Sequence, residues 1–274
     1  MIGILDQQFM QNALAAGVLA SLACGMIGTL VVVNRLVFLA GGIAHAAYGG
    51  VGLAFFLGLP VLPCTVGFTL LSSLAMGGFT LHRKERADTV IGVLWAAGMA
   101  LGIILLDLSP GYNTDIMSYL FGSILTVRHA DLWFMLGLDT AVLLVIVFFY
   151  KDFIAMSFDP EFARTRGIPV AGLYFLLLGM IAVSVVMIIQ VVGLILVIAL
   201  LTIPPWLAQR TAASLGRMMI AAVLWSVLFC LIGLFLAYMA DLSSGASIIA
   251  IATVSFFGVF SWDSLRVRYR SKNT

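Results

Sequence analysis

Charge is the scarcest property of this 274-residue chain: Asp, Glu, Lys and Arg together make up 9% of it, whereas 63% is hydrophobic. A soluble domain is nearer a quarter charged and about half apolar, and a core of this size does not need such an excess of apolar side chains. Many windows of about 20 residues hold no charge at all, which is what a bilayer-spanning helix requires. The net charge of +2 leaves no general basic surface for nucleic acid. There is no GxxxxGK[ST] loop, so the chain is not expected to hydrolyse ATP itself, and there is no HExxH. The three cysteines, Cys24, Cys64 and Cys230, lie in separate apolar runs without a CxxC, which argues against a disulfide framework or a thiolate cluster. The opening stretch "MIGILDQQFMQN" lacks the positive n-region of a signal peptide, so the first apolar run is expected to stay as a spanning helix.

What remains is an all-α polytopic membrane protein with one domain over 1–274. Nine candidate spans can be drawn, at roughly 9–33, 40–58, 61–80, 89–107, 131–150, 170–188, 190–207, 218–240 and 245–262. The sixth and seventh share one apolar run, which predicts a tight outer turn near Gln190 and Gly193 and one short or broken helix. Pro204 and Pro205 follow "VGLILVIALLTI" and predict a fixed bend at its inner end.

Charge sets the orientation, because cytoplasmic connections carry the excess of Lys and Arg. With the N-terminus outside, the inner connections hold Arg35; Arg83, Lys84 and Arg86; Lys151, Arg164 and Arg166; Arg210 and Arg217; and Arg266, Arg268, Arg270 and Lys272. That is 13 of the 14 Lys and Arg residues, with Arg128 alone outside. The pattern predicts an N-out, C-in chain. The outer connection 109–130 has turn signals at Ser109, Pro110 and Gly111, then an apolar segment over 117–127 that is too short to cross; a re-entrant or interfacial helix is expected there.

The inner connection "KDFIAMSFDPEFARTRGIPV" predicts a short helix. Asp159 is its cap, Pro160 its first residue and Glu161 part of its first turn. Phe158 and Phe162, four apart, share a face. Arg164 lies near the end, Gly167 can terminate the helix, and Pro169 stops it again. Such a helix either lies against headgroups or docks a cytoplasmic partner.

Six segments in order now carry a resemblance: "NRLVFLAGGIAHAAYGG" at 34–50, "HRKERADTVIGVLWAAGMALGIILL" at 82–106, "MSYLFGSILTV" at 117–127, "SFDPEFARTRGIP" at 157–169, "QVVGLILVIALLTIPPWLA" at 190–208 and "DLSSGASIIA" at 241–250. Together they resemble the membrane permeases of bacterial ABC importers for divalent metals, the zinc, manganese and iron uptake type. The resemblance covers nearly the whole chain. It implies a permease bundle of the vitamin B12/metal-chelate type in the bacterial cell membrane, working as a homodimer with two cytoplasmic ATPase subunits and an extracytoplasmic metal-binding protein. No cofactor would be stably bound; the divalent metal is cargo and the partner subunit uses the ATP. It further implies that 157–169 is the coupling helix seated in the ATPase cleft.

His45 is the candidate cargo ligand. It lies ten residues past Arg35, about 15 Å along a helix and so near mid-membrane. An imidazole there must face protein or a cavity, either as a structural donor to a carbonyl on a neighbouring span or as a ligand for zinc, iron or manganese. The resemblance favours the ligand or gating role. Gly41, Gly42, Gly49 and Gly50 strip side chains from the same helix, for close packing, for a pathway, or for both on different faces. Many relatives of this type carry an aspartate four residues before the histidine, where this chain has Gly41. Asp139, deep in the fifth span, and Asp241, at the outer mouth before the last span, are the carboxylates that remain to offset a dication. The missing aspartate also leaves open a metal chelate or another small nutrient as cargo. A proton-coupled carrier acting alone would need an intramembrane relay, for which Asp139 is the main candidate.

Overall fold

In hydrocarbon a backbone can satisfy its own polar groups only by coiling on itself, so uncharged apolar runs become helices. The computed structural model describes residues 7–82, 86–109, 124 and 127–271, with backbone alone at 82, 190–192, 195 and 264–271. It contains α1 (Gln8–Val33), α2 (Val37–Leu57), α3 (Val61–His82), α4 (Ala87–Asp107), α5 (His129–Phe148), α6 (Tyr150–Phe158), α7 (Pro160–Thr165), α8 (Val170–Val192), α9 (Leu194–Gln209), α10 (Leu215–Ala240) and α11 (Ser244–Ser271). Among the described residues, eight helices are long and apolar enough to cross a membrane. The remaining apolar helix of the nine drawn from sequence is α9, whose 16 residues extend about 24 Å, short of a hydrocarbon core of about 30 Å. The short helix expected over 117–127 lies outside the described residues, except for Ile124 and Val127, which are buried.

The helices divide into an inner set and a lipid-facing set. Over their most apolar stretches α1 is 72% buried and α2 78%, against 22% for α4, α5 and α11, so the latter three offer most of their surface to lipid or to other chains. α1 packs on α5, α8, α9 and α10, and α2 packs on α3, α4, α8 and α9. Those two helices therefore organise the bundle.

The tightest seams have no side chain between backbones. A Cβ placed on Gly52 would lie 2.3 Å from the Gly102 carbonyl oxygen, and one on Gly102 would lie 2.5 Å from that of Tyr48. Gly98 meets the Cα of Ala46 at 2.8 Å in the same way. Small residues let helices approach closely where hydrophobic burial gives no driving force, and here they join α2 to α4. Gly49 and Gly50 do the same toward α3, against Phe68 and the backbone of Thr65. Gly42 is filled by Ile91 and Met76.

The α1–α2 connection is a Schellman motif. Leu36 N–H donates to Val31 O (2.8 Å) and Arg35 N–H to Val32 O (3.1 Å), with Arg35 left-handed at φ +58°. Glycine usually holds that position, and an arginine there costs about 1 kcal/mol or more. Gly193, at φ +81°, is the whole connection between α8 and α9, matching the tight turn expected there. Gln190 lies within α8 rather than in the turn, and its side chain is outside the described residues.

Pro204 and Pro205 lie inside α9, which continues past them to Gln209. Proline removes the bond to the carbonyl four residues earlier. The Leu201 carbonyl freed by Pro205 points at Gly28 of α1, where a Cβ would come within 2.6 Å. Packing against α1 thus accommodates the interruption without ending the helix. Just beyond, Arg210 stacks over Trp206 (4.5 Å) and pairs with Asp263, fastening α9 to α11.

Because the α2–α4 seam meets backbone on both sides, it cannot relax by moving a side-chain tip. Gly52→Ala and Gly102→Ala should each destabilise the protein by about 1–3 kcal/mol. Thermal unfolding in detergent should show this, whereas Gly58→Ala, at an open turn, should lose no more than its left-handed backbone preference.

Candidate functional site

His45 lies on α2 at the level where that helix is zipped to α4. Its Nδ1 is 2.9 Å from the carbonyl oxygen of Gly41, one turn back on the same helix. A carbonyl can only accept, so Nδ1 carries the hydrogen and the lone pair of the neutral ring resides on Nε2. Metal-binding histidines are commonly oriented this way, one ring nitrogen donating to a carbonyl and the other free to ligate. The acceptor lies on the histidine's own helix, not on a neighbouring span as the structural alternative had it. The ring lies against Trp95 of α4, with centroids 4.0 Å apart and planes at 31°. Trp95 in turn donates Nε1–H to Met99 Sδ (3.1 Å) and lies 6.1 Å from the Phe38 ring. The imidazole is therefore half-buried, with one face covered and its tautomer set.

Gly41 differs from the other glycines of α2. A Cβ there would meet only Ile198 Cδ1 at 3.5 Å, an ordinary contact. Gly42, Gly49 and Gly50 have no such room. The position one turn before His45 thus has space for a side chain, and the chain leaves it empty.

Asp139 is buried in the middle of α5, and neither of its carboxylate oxygens has a hydrogen-bond partner. Asn12 Nδ2 donates to Val127 O (3.2 Å), and twelve residues further along each strand of chain stand Cys24 and Asp139. The carboxylate is accordingly near enough to influence Cys24 electrostatically. α5 packs chiefly on α1, whereas α2 packs chiefly on α4 and α3. Asp139 and His45 therefore occupy different seams. Asp241 is exposed, ending α10 in a left-handed turn at φ +53°. Among the described residues no three His, Cys, Asp or Glu side chains gather closely enough to hold a metal ion, so His45, Asp139 and Asp241 are not assembled into one three-ligand site.

At one end of the bundle an open vestibule of about 1190 Å³ is lined by the α1–α2 turn, the ends of α3 and α9, the starts of α4, α8 and α10, and the α6–α7 segment. Asp159 caps α7 by accepting from Phe162 N–H (2.9 Å), Pro160 is its first residue and Glu161 lies in its first turn. Gly167 N–H donates to Arg164 O and Ile168 N–H to Ala163 O, which closes α7 with Gly167 at φ +77°. Phe158 and Phe162 are 67% and 54% exposed, although Phe153 and Ala163 beside them are fully buried. Arg166 lies over the Phe162 ring at 5.6 Å. The result is a rigid corner with two exposed apolar side chains, and Phe158, Glu161 and Arg164 line the vestibule.

Two features escaped sequence reasoning. Trp95 lies in the "HRKER…IILL" segment, but that it seats His45 depends on the α2–α4 register, which no local pattern encodes. The hydrogen bonds tying α6 to distant helices, Asn34 to Ser157 (2.9 Å) and Gly216 N–H to Tyr150 OH (2.9 Å), join ordinary polar residues that carry no signature.

A polytopic bundle of eight long apolar helices, with a histidine at a glycine-packed seam and a capped corner carrying exposed aromatics, is the build of a membrane permease. The comparisons specify which. The model of the ABC 3 transport family matches residues 6–262, and the chain belongs to that family. It is 49% identical over 256 residues to the uncharacterized membrane protein slr2045 of Synechocystis sp., covering 93% of this chain and 91% of that one. It is 32% identical over 253 residues to the manganese transport system membrane protein MntC of Halalkalibacterium halodurans, covering 92% and 87%. Among solved structures it superimposes on PsaBC from Streptococcus pneumoniae, determined in complex with Fab, with a TM-score of 0.85 at 31% identity, covering 94% and 92%.

The space at Gly41 generates a direct test. Gly41→Asp should fold normally and place a carboxylate one turn from the imidazole. Manganese bound to the purified protein should rise, while the rate of metal release falls. Equilibrium dialysis and stopped-flow release would measure both.

Proposed function

We propose that this chain is the membrane permease of an ATP-driven importer for a divalent metal ion, with manganese the first cation to test and zinc and iron next. Membership of the ABC 3 transport family carries this reading, and the manganese transport named for its relatives supports the choice of cation. Nitrogen and oxygen donors accept all three metals, so the delivery protein supplies much of the selectivity.

On this reading the chain crosses the membrane nine times, N-out and C-in, in a bundle of the vitamin B12/metal-chelate type. The 13 basic residues of the inner connections support that orientation. Two copies enclose the pathway, an extracytoplasmic metal-binding protein delivers the ion, and two ATPase subunits sit beneath. His45 offers Nε2 to the passing ion. A lone neutral imidazole brings no charge to offset the dication, which makes the contact weak and transient. A transporter has to release its cargo, so weakness suits the task. The outer acidic residue Asp241 draws cations toward the mouth. No covalent chemistry takes place in this chain.

α7 is the element that meets the ATPase. Its caps make it rigid, and Phe158 and Phe162 are anchors of the kind that fill a groove. ATP binding and hydrolysis in the partner then shift α6–α7 as a body, opening one side of the pathway and closing the other.

Reconstitution of the complete complex in liposomes tests this reading. His45→Ala should insert normally and lose manganese uptake by about tenfold, the lower end of what a change at a metal contact or its support costs; undiminished uptake of manganese, zinc and iron would remove His45 from the pathway. Phe158→Ala combined with Phe162→Ala should leave the permease folded and abolish co-purification of the ATPase, and an ATPase that stays bound would contradict the docking role of α7.

A further inference from the structure

The α6–α7 segment continues covalently into α5 on one side and α8 on the other. Neither of these helices carries His45. Movement imposed on α7 must therefore reach α2 through a contact, and the structure contains one suited to that purpose. We infer that the Asn34–Ser157 hydrogen bond, acting through the left-handed turn at Arg35, is the latch by which the α6–α7 segment moves the helix that bears His45. This rests on the reading that α7 meets the ATPase.

The geometry makes the latch directional. The Asn34 amide donates one hydrogen to Leu30 O (2.8 Å) and the other to Ser157 Oγ (2.9 Å). Leu30 O, in the last turn of α1, also accepts the Asn34 backbone N–H (3.0 Å), so the first bond folds the side chain back onto its own helix and fixes the amide plane, and the second reaches across 123 residues of sequence to α6. Ser157 sits between Met156, which is buried, and Phe158, which is exposed. The latch thus adjoins Phe158 in sequence, and both line the vestibule.

Stiffness on the far side of the latch is as important. Only Asn34, Arg35 and Leu36 separate α1 from α2, and both Schellman bonds hold them. A pull on Asn34 is therefore not absorbed by a loop. From Val37 the chain is continuous helix, and His45 lies eight residues on, about 12 Å along the axis. Gly49 and Gly52 then staple α2 to α3 and α4, so α2 swings as a packed unit. A second bond, Gly216 N–H to Tyr150 OH, ties the other end of α6 to α10. It makes no connection to α2 and provides an internal comparison.

The test uses the full complex of permease, ATPase and binding protein in proteoliposomes, supplied with Mn²⁺ and ATP. Uptake per ATP hydrolysed and ATPase co-purification are both read. Ser157→Ala removes the hydroxyl that accepts, and Asn34→Leu removes the amide that donates to it without leaving an acceptor for the serine hydroxyl. Each should keep the ATPase bound and lower uptake per ATP about fivefold, the scale of one lost hydrogen bond. Ser157→Thr, which retains the hydroxyl, should restore the ratio, and Tyr150→Phe should change it less than Ser157→Ala does. An unchanged ratio in Ser157→Ala and Asn34→Leu overturns the latch. Loss of the bound ATPase in Ser157→Ala also overturns it, because the residue would then belong to the docking surface. Failure of the underlying reading is separate: it shows as an ATPase that remains bound when Phe158 and Phe162 are both alanine.

Discussion

The absence of side chains between α2 and α4 is the constraint on which the rest depends. Where Gly52 meets Gly102, and Gly98 meets Ala46, backbones approach to distances that no Cβ would allow. That contact brings Trp95 against the imidazole of His45 and shields a polar ring from lipid. An imidazole facing hydrocarbon at that depth would be costly. With the seam closed, it is held in one tautomer by its own helix carbonyl and covered on one face by an indole. The same lack of bulk that joins the helices therefore makes a histidine inside a spanning helix tolerable.

The two ends of the permease do different work. One gathers the α1–α2 turn, the capped α7 and the starts of α8 and α10 around an open vestibule that Arg35 and Arg164 line. Here the structure is rigid by local chemistry: Asp159 and Gly167 close α7, the two Schellman bonds hold Arg35, and Asn34 and Tyr150 reach across to tie elements together. The middle of the bundle relies instead on close packing, with few polar groups. Asp139 is the exception, buried without a partner on a seam away from His45. A carboxylate in that setting is costly to keep.

Much of this was legible in the residues because lipid leaves few choices. Long uncharged runs had to be helices, and the eight long ones fall where the apolar windows lie. The corner at α7 was legible for another reason: Asp159, Pro160 and Gly167 each act within a turn of their own position, so the pattern contains the structure. That α9 runs on past Pro204 and Pro205 to Gln209 was not, because what covers the freed carbonyl is Gly28, in a helix more than 170 residues away. Nor did the pattern reveal Arg35 as left-handed, since glycine is the usual sign and arginine is not. His45 could be placed at mid-membrane by counting from Arg35, yet its partner Trp95 required the register of two helices. Register between spans is set by tertiary packing, which leaves only glycines as its trace.

The account as a whole depends on energy entering from a separate subunit. Manganese uptake into proteoliposomes should be measured with the permease alone and with the permease plus its ATPase and binding protein, each with and without ATP. Uptake confined to the complete, ATP-supplied system is the predicted result. Transport at the same rate by the permease alone, without ATP, would contradict it.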